Sequence, residues 1–92
     1  MSHIIWKYEL FEDTNSIDVP IDYEILDVQI QNKKVQVWIK IDLNQPFSRI
    51  LVFNIFGTGI NLPDDINTYK HISTLQDNSL VWHIFYREDN NE

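Results

Sequence analysis

Apolar and polar residues alternate along most of this chain with a period of two. In the segment Ile5–Phe11, Trp6, Tyr8 and Leu10 fall on one side and Lys7 and Glu9 on the other, which predicts a strand. A turn cluster, Glu12-Asp13-Thr14-Asn15, follows. Ser16–Val19 places Ile17 and Val19 on one side, and Pro20 ends it because proline has no N–H for a ladder. Glu24–Gln31 sets Leu26, Val28 and Ile30 against Asp27, Gln29 and Gln31. Asn32-Lys33 then separates it from Val35–Asp42, which predicts a tight hairpin in which asparagine accepts the positive φ. Val35–Asp42 alternates most regularly, with Val35, Val37, Ile39 and Ile41 opposite Gln36, Trp38, Lys40 and Asp42.

Arg49–Phe56 breaks the alternation. It is almost wholly apolar, which predicts a strand buried on both faces. Ile60–Asn67, with Pro63-Asp64-Asp65 inside it, reads as loop with one turn of helix. Tyr69–Leu75 and Leu80–Tyr86 read as two strands joined by Gln76-Asp77-Asn78-Ser79. The pattern predicts an all-β domain over residues 1–87, with about seven short, mainly antiparallel strands in a small sandwich or barrel. Residues 88–92 read as an acidic, disordered tail.

Composition narrows the picture. A chain of 92 residues is one domain with a modest core, hiding roughly 60–65% of its unfolded surface. With no cysteine, disulfides and thiolate metal sites are excluded. Oligomerisation is then the remaining way to reinforce so small a fold, and a homo-oligomer is expected. No signal peptide or apolar membrane span is visible, so a soluble protein of the cytoplasm is expected. The net charge of −7 argues against direct nucleic-acid binding and against anionic membranes. Alanine is absent while isoleucine and asparagine abound, the mark of an AT-rich genome and a poor composition for a helical bundle.

Five segments together carry a resemblance: Ile5-Trp6-Lys7-Tyr8-Glu9-Leu10, Ile25 to Asn32, Val37-Trp38-Ile39 with Ile41-Asp42, Ile55-Phe56-Gly57-Thr58-Gly59, and Leu80-Val81-Trp82-His83 with Phe85. In this order the chain resembles a family of small uncharacterised proteins encoded by bacteriophages and prophages. Asn32-Lys33 and Ile60-Asn61 stand where that family often has Asn-Gly and a histidine with proline. The resemblance implies a phage accessory protein acting in the bacterial host cytoplasm. It implies no particular activity.

Four sets of residues are candidates for function. Phe56-Gly57-Thr58-Gly59 holds both glycines of the chain. Its backbone N–H groups and the Thr58 hydroxyl suit an anion, although the pattern is neither a P-loop nor a dinucleotide fingerprint. A tight turn or bulge leaving a buried strand is the simpler account of it. Trp38 on a polar face, with Gln29, Gln31 and Lys40 beside it, sketches a surface for stacking or docking, unless a second sheet covers that face. His71 and His83 sit on the last hairpin without metal-ligand spacing. Arg49 and Lys70 are the cations placed to balance an anionic ligand.

No serine, histidine or carboxylate stands in a context that marks catalysis, so no catalytic residue, metal or cofactor is assigned and an enzyme is not expected. Two functions fit. The first is an anti-defence protein that sequesters a nucleotide-derived immune signal, with Phe56–Gly59, Arg49, Trp38, Gln29, Gln31 and Lys40 around a small nucleotide-like ligand. The alternative is a module that binds a host or phage protein through a strand edge or the Trp38 face. A phage structural or assembly accessory is a third, blander role.

Overall fold

A computed structural model describes residues 2–12 and 14–90. Among the described residues there are seven strands: β1 (His3–Leu10), β2 (Asn15–Val19), β3 (Tyr23–Gln31), β4 (Lys34–Asp42), β5 (Arg49–Gly57), β6 (Lys70–Asp77) and β7 (Leu80–Asn90). They form two antiparallel sheets, ordered β1-β4-β3 and β2-β5-β7-β6. The sheets pack face to face as a sandwich and do not close into a barrel.

The core is the set of side chains that the period of two aims between the sheets. Val37, Ile39 and Ile41 of β4 meet Leu51, Phe53 and Ile55 of β5, with Val19 and Ile84 completing the layer. β5 lies inside its sheet, between β2 and β7. Its other face is also covered, since Val52 and Asn54 are buried. The cover is the connection from β5 to β6, which must pass over β7. It carries a short 3-10 helix, Ile66–Thr68. Arg87 of β7 pins it: Nη1 donates to Asp65 Oδ2 and to Thr68 Oγ1, both at 3.2 Å, and the guanidinium lies 4.8 Å from the Tyr69 ring centre. The nearly continuous apolar run of β5 therefore reflects burial on both faces.

Both tight hairpins turn on residues with positive φ. Asn32 (54°) and Lys33 (65°) join β3 to β4, and Asn78 (57°) helps join β6 to β7. A lysine in this region is strained relative to glycine, yet the twist of the flanking strands selects it.

Two bulges alter the faces expected from the sequence. β3 slips between Ile25 and Asp27, so Tyr23 and Ile25 pack on the core while Leu26, predicted to share a face with Val28, is exposed. An extra residue in one strand reverses the parity of everything on one side of it. β6 slips between His71 and Ser73. In β1, Ile4 rather than Trp6 joins Tyr8 and Leu10 on the core, and Trp6 packs at the margin against Tyr8 and Phe47. β7 also runs past its predicted end. Glu88, Asp89 and Asn90, assigned to the tail by sequence, pair with Leu51, Ile50 and Arg49. Asp13 of the expected first turn and the last two positions of the expected tail, 91 and 92, lie outside the described residues.

One tie joins the sheets at their polar edge. Tyr23 Oη donates to Glu88 Oε1 at 2.6 Å, and Arg49 Nε lies 3.5 Å from Glu88 Oε2. Burial, then the bond to Glu88, raises the Tyr23 phenol above its ordinary range. Because the folded value is the higher one, the neutral phenol's contribution is complete below about pH 10 and disappears as pH climbs through the folded value. Tyr23→Phe should therefore lower the urea midpoint by a constant amount from pH 7 to pH 10. The gap to the wild type should narrow at higher pH.

Candidate functional site

The glycine loop leaves the end of β5 against Trp82. Gly57 is the last residue of the strand and pairs with Trp82. A Cβ on Gly57 would meet the Trp82 ring at 3.5 Å, an ordinary contact. Thr58 N–H donates to Val81 O at 3.3 Å and so extends the ladder by one bond. Gly59 has φ +84°, and a Cβ there would meet nothing within 4 Å. The second glycine is thus required by the backbone and not by crowding. Gly59→Val should destabilise the fold by about 1–2 kcal/mol through strain alone. Gly57→Ala should cost less than about 0.5 kcal/mol. Thermal unfolding of the two variants separates these effects.

Thr58 also begins a chain of side-chain hydrogen bonds on the outer face of the four-stranded sheet. Thr58 Oγ1 lies 2.8 Å from His83 Nε2. His83 Nδ1 lies 3.1 Å from Thr74 Oγ1, which lies 2.8 Å from His71 Nε2. One consistent assignment runs the donors in a single direction: Thr58 O–H to His83 Nε2, His83 Nδ1–H to Thr74 Oγ1, and Thr74 O–H to His71 Nε2. The histidines, whose meeting across the last hairpin the sequence left open, are joined through Thr74 with ring centres 6.3 Å apart. The β6 bulge sets His71 opposite Phe85, on the same outer face as His83. Thr58 and His83 have the spacing of a nucleophile and its base. Behind the imidazole stands a hydroxyl where a charged orienting group would stabilise an imidazolium. The chain orders the loop and fixes the Thr58 hydroxyl.

Beside this polar string lies an apolar cleft of about 650 Å³, walled by Ile55, Gly57, Ile60, Leu80 and Trp82, with Thr58 at its edge. A hollow of about 310 Å³ adjoins it, shares Ile55 and Trp82, and is flanked by Phe11, Lys33 and Asp77. Four connections converge on this end of the sandwich: the β1–β2 turn, the β3–β4 and β6–β7 hairpins, and the glycine loop. Three large apolar side chains at this end stand mostly in solvent: Ile60 at 63%, Phe11 at 61% and Leu80 at 54% exposed.

A model of a domain of unknown function, DUF7352, matches residues 1–92. The chain belongs to the DUF7352 family. No curated protein and no solved structure matches it.

In this DUF7352 domain the sequence-predicted residues do not gather at one place. Phe56, Gly57, Thr58 and Gly59 lie at the loop end, where the Phe56 ring packs on Phe85 with 5.7 Å between centres. Arg49 stands at the opposite end of β5, roughly 26 Å away along the strand. It is engaged by Glu88. Trp38, Gln29, Gln31 and Lys40 lie on the outer face of the three-stranded sheet, which the second sheet does not cover. Trp38 is half-buried there, with Lys7 and Asp27 as its register partners. Gln29 donates to Asp27 at 2.7 Å, Gln31 accepts from Lys7 at 3.0 Å, and Lys40 pairs with Glu24 at 3.0 Å. Lys70 lines a separate hollow between β3 and β6. The cleft residues Ile60, Leu80 and Trp82 were missed as a site. The available signal was an isoleucine just after the glycine turn and a leucine just after the last hairpin turn, where polar residues are usual.

Proposed function

We propose that this chain is a small, non-catalytic protein-binding domain whose loop end holds an apolar segment of a basic partner. The observation that carries the reading is the exposure of Ile60 and Leu80 around a cleft walled by Trp82, with exposed Phe11 beside the adjoining hollow. Large apolar side chains grouped on one surface of a small domain are characteristic of docking sites, and a tryptophan wall is a typical energetic anchor. The net charge of −7 favours a partner of opposite sign and speeds encounter with it. The resemblance of the five sequence segments to phage-encoded proteins supports a phage-type accessory role in the bacterial cytoplasm.

Sequestration of a nucleotide-derived immune signal, and with it an anti-defence role, is the second reading. The cleft volume favours it, since about 650 Å³ lies within the span of small-molecule sites. Thr58 would offer its hydroxyl there and Trp82 its ring. Against an anionic ligand stand the engagement of the Thr58 N–H by Val81 and the remoteness of Arg49.

The test pairs two substitutions. Leu80→Asp places a charge at the cleft rim without touching the core, and Trp38→Ala alters the opposite sheet. A basic protein captured from bacterial lysate and then purified should bind the wild type and Trp38→Ala equally, and Leu80→Asp at least about tenfold more weakly. A partner insensitive to Leu80→Asp would remove the docking reading. Calorimetry against cyclic nucleotides and ADP-ribose derivatives decides the second reading: binding that Thr58→Val weakens supports it, and no binding ends it.

A further inference from the structure

At the end of the sandwich away from the cleft, three side chains from three separate segments converge. His3 opens β1, Asp22 lies in the bend between β2 and β3, and Asp42 closes β4. Their ligating atoms lie within 4.8 Å of one another. His3 Nε2 is 3.7 Å from Asp22 Oδ2 and 4.0 Å from Asp42 Oδ2. We propose that His3, Asp22 and Asp42 form a divalent metal site of the zinc class, with one imidazole and two carboxylate ligands and a coordination position open to solvent.

Burial of Asp42 carries the argument beyond a mere gathering of charge. The residue is 9% exposed and its side chain 12%. Its Oδ1 accepts the Asn44 N–H at 2.9 Å, whereas Oδ2 receives no hydrogen bond from any described residue and faces His3. A buried carboxylate is normally supplied with donors or a counter-ion on both oxygens. Here, among the described residues, the second oxygen has only the His3 imidazole, 4.0 Å away, beside it, and it faces the space between the other two ligands. No lysine or arginine is paired with any of the three side chains among the described residues.

The backbone holds the ligands in place. His3 and Asp42 are register partners in the β1–β4 ladder. Asp42 N–H donates to Asp22 O at 3.3 Å, and Leu43 N–H to Ser2 O at 2.9 Å. Two donors held about 2.1 Å from a zinc ion sit roughly 3.4 Å apart at the tetrahedral angle. The two imidazole–carboxylate separations, 3.7 and 4.0 Å, therefore need to close by about 0.3 and 0.6 Å, and that between the carboxylates, at most 4.8 Å, by up to about 1.4 Å. Asp22, exposed and at a bend, is free to make that adjustment. An imidazole with two carboxylates suits zinc, manganese or iron over calcium, which takes an all-oxygen shell. The site would clip the first strand to the corner between the sheets. This stabilises a domain that has no disulfide to do the same work.

The experiment uses the full chain without an affinity tag, stripped with a chelator and titrated with zinc chloride by calorimetry. One zinc per chain should bind, and saturating zinc should raise the melting temperature by about 10 °C. Asp22→Asn and Asp42→Asn should each weaken binding at least about tenfold. Asp22→Asn changes an exposed side chain, and the amide oxygen introduced by Asp42→Asn still accepts the Asn44 N–H, so both variants should fold. Cobalt(II) should give a visible absorption band that Asp42→Asn abolishes. The double variant His71→Ala/His83→Ala should bind zinc as the wild type does. Absence of stoichiometric zinc, affinity unchanged by both aspartate substitutions, or affinity lost in the double histidine variant would each overturn the proposal.

Discussion

Phe53→Ala lowers the free energy of unfolding by about 3–5 kcal/mol, the largest loss expected from a single substitution in this domain. Phe53 is fully buried at the centre of β5 and is the largest of the fully buried side chains. β5 is flanked by β2 and β7, so a void there touches both neighbours. The ring also stacks on Tyr86, with centres 5.8 Å apart and planes inclined by 26°. Truncation removes the transfer free energy of the ring, its stacking, and the contacts of everything that lined it. A domain of this length sits near the low end of the usual stability of about 5–15 kcal/mol. The variant should therefore be substantially unfolded at 37 °C. Urea unfolding monitored by circular dichroism measures the loss. Phe53→Leu, which keeps most of the volume, should lose only about 1–1.5 kcal/mol.

Trp82→Ala should have the largest effect on binding while also weakening the fold. Its ring packs on the core from the inner face of β7, lies against Gly57, and walls both hollows at the loop end. Because it is only half-buried, its loss should cost about 2 kcal/mol of stability, less than a buried aromatic. Partner affinity should fall at least about 30-fold, as for an anchor of about 2 kcal/mol or more. Leu80→Asp controls for the loss of stability, since it leaves the core intact and disturbs only the rim. Both measurements belong together: chemical denaturation for the fold, calorimetry with the purified partner for the site. Trp82→Ala binding as tightly as the wild type would show that the cleft is not the docking surface.

Much of the fold was legible because alternation is a local signal. Val35–Asp42 carries it without interruption, and β4 forms as read, with the hairpin at Asn32-Lys33 where positive φ is tolerated. The apolar run of Arg49–Phe56 announced a strand covered on both sides. The pattern failed where one residue was inserted into a ladder. Leu26 fits the alternation of Val28 and Ile30, but it is the extra residue of the bulge between Ile25 and Asp27, which reverses that alternation. Nothing nearby in sequence signals that reversal, since it arises from pairing with β4. The acidic end of β7 misled for the opposite reason. Glu88 and Asp89 look like tail by composition, but Arg49 and Arg87 supply their counter-charges across and along the strands.

The candidate site was legible only in part. Gly57 and Gly59 drew attention to the right loop, and the structure explains Gly59 by its positive φ. The partner that gives the loop its chemistry, His83, lies 25 residues from Thr58. Arg49 and the Trp38 group were joined to the loop by residue type, and the sandwich separates them because β5 is long and the two outer faces point apart. His3, Asp22 and Asp42 carry no motif spacing, for they meet through β1–β4 pairing and the bend before β3.

By itself the sequence determined the class of this protein: an acidic, cysteine-free, seven-stranded β domain with its core on alternate residues. A period of two is written into each strand separately, and burial enforces it. Only the tertiary structure decided the sheet order, the crossing of the β5–β6 connection over β7, and the two ends at which function is proposed. Those depend on contacts between residues far apart in sequence, which no local pattern encodes.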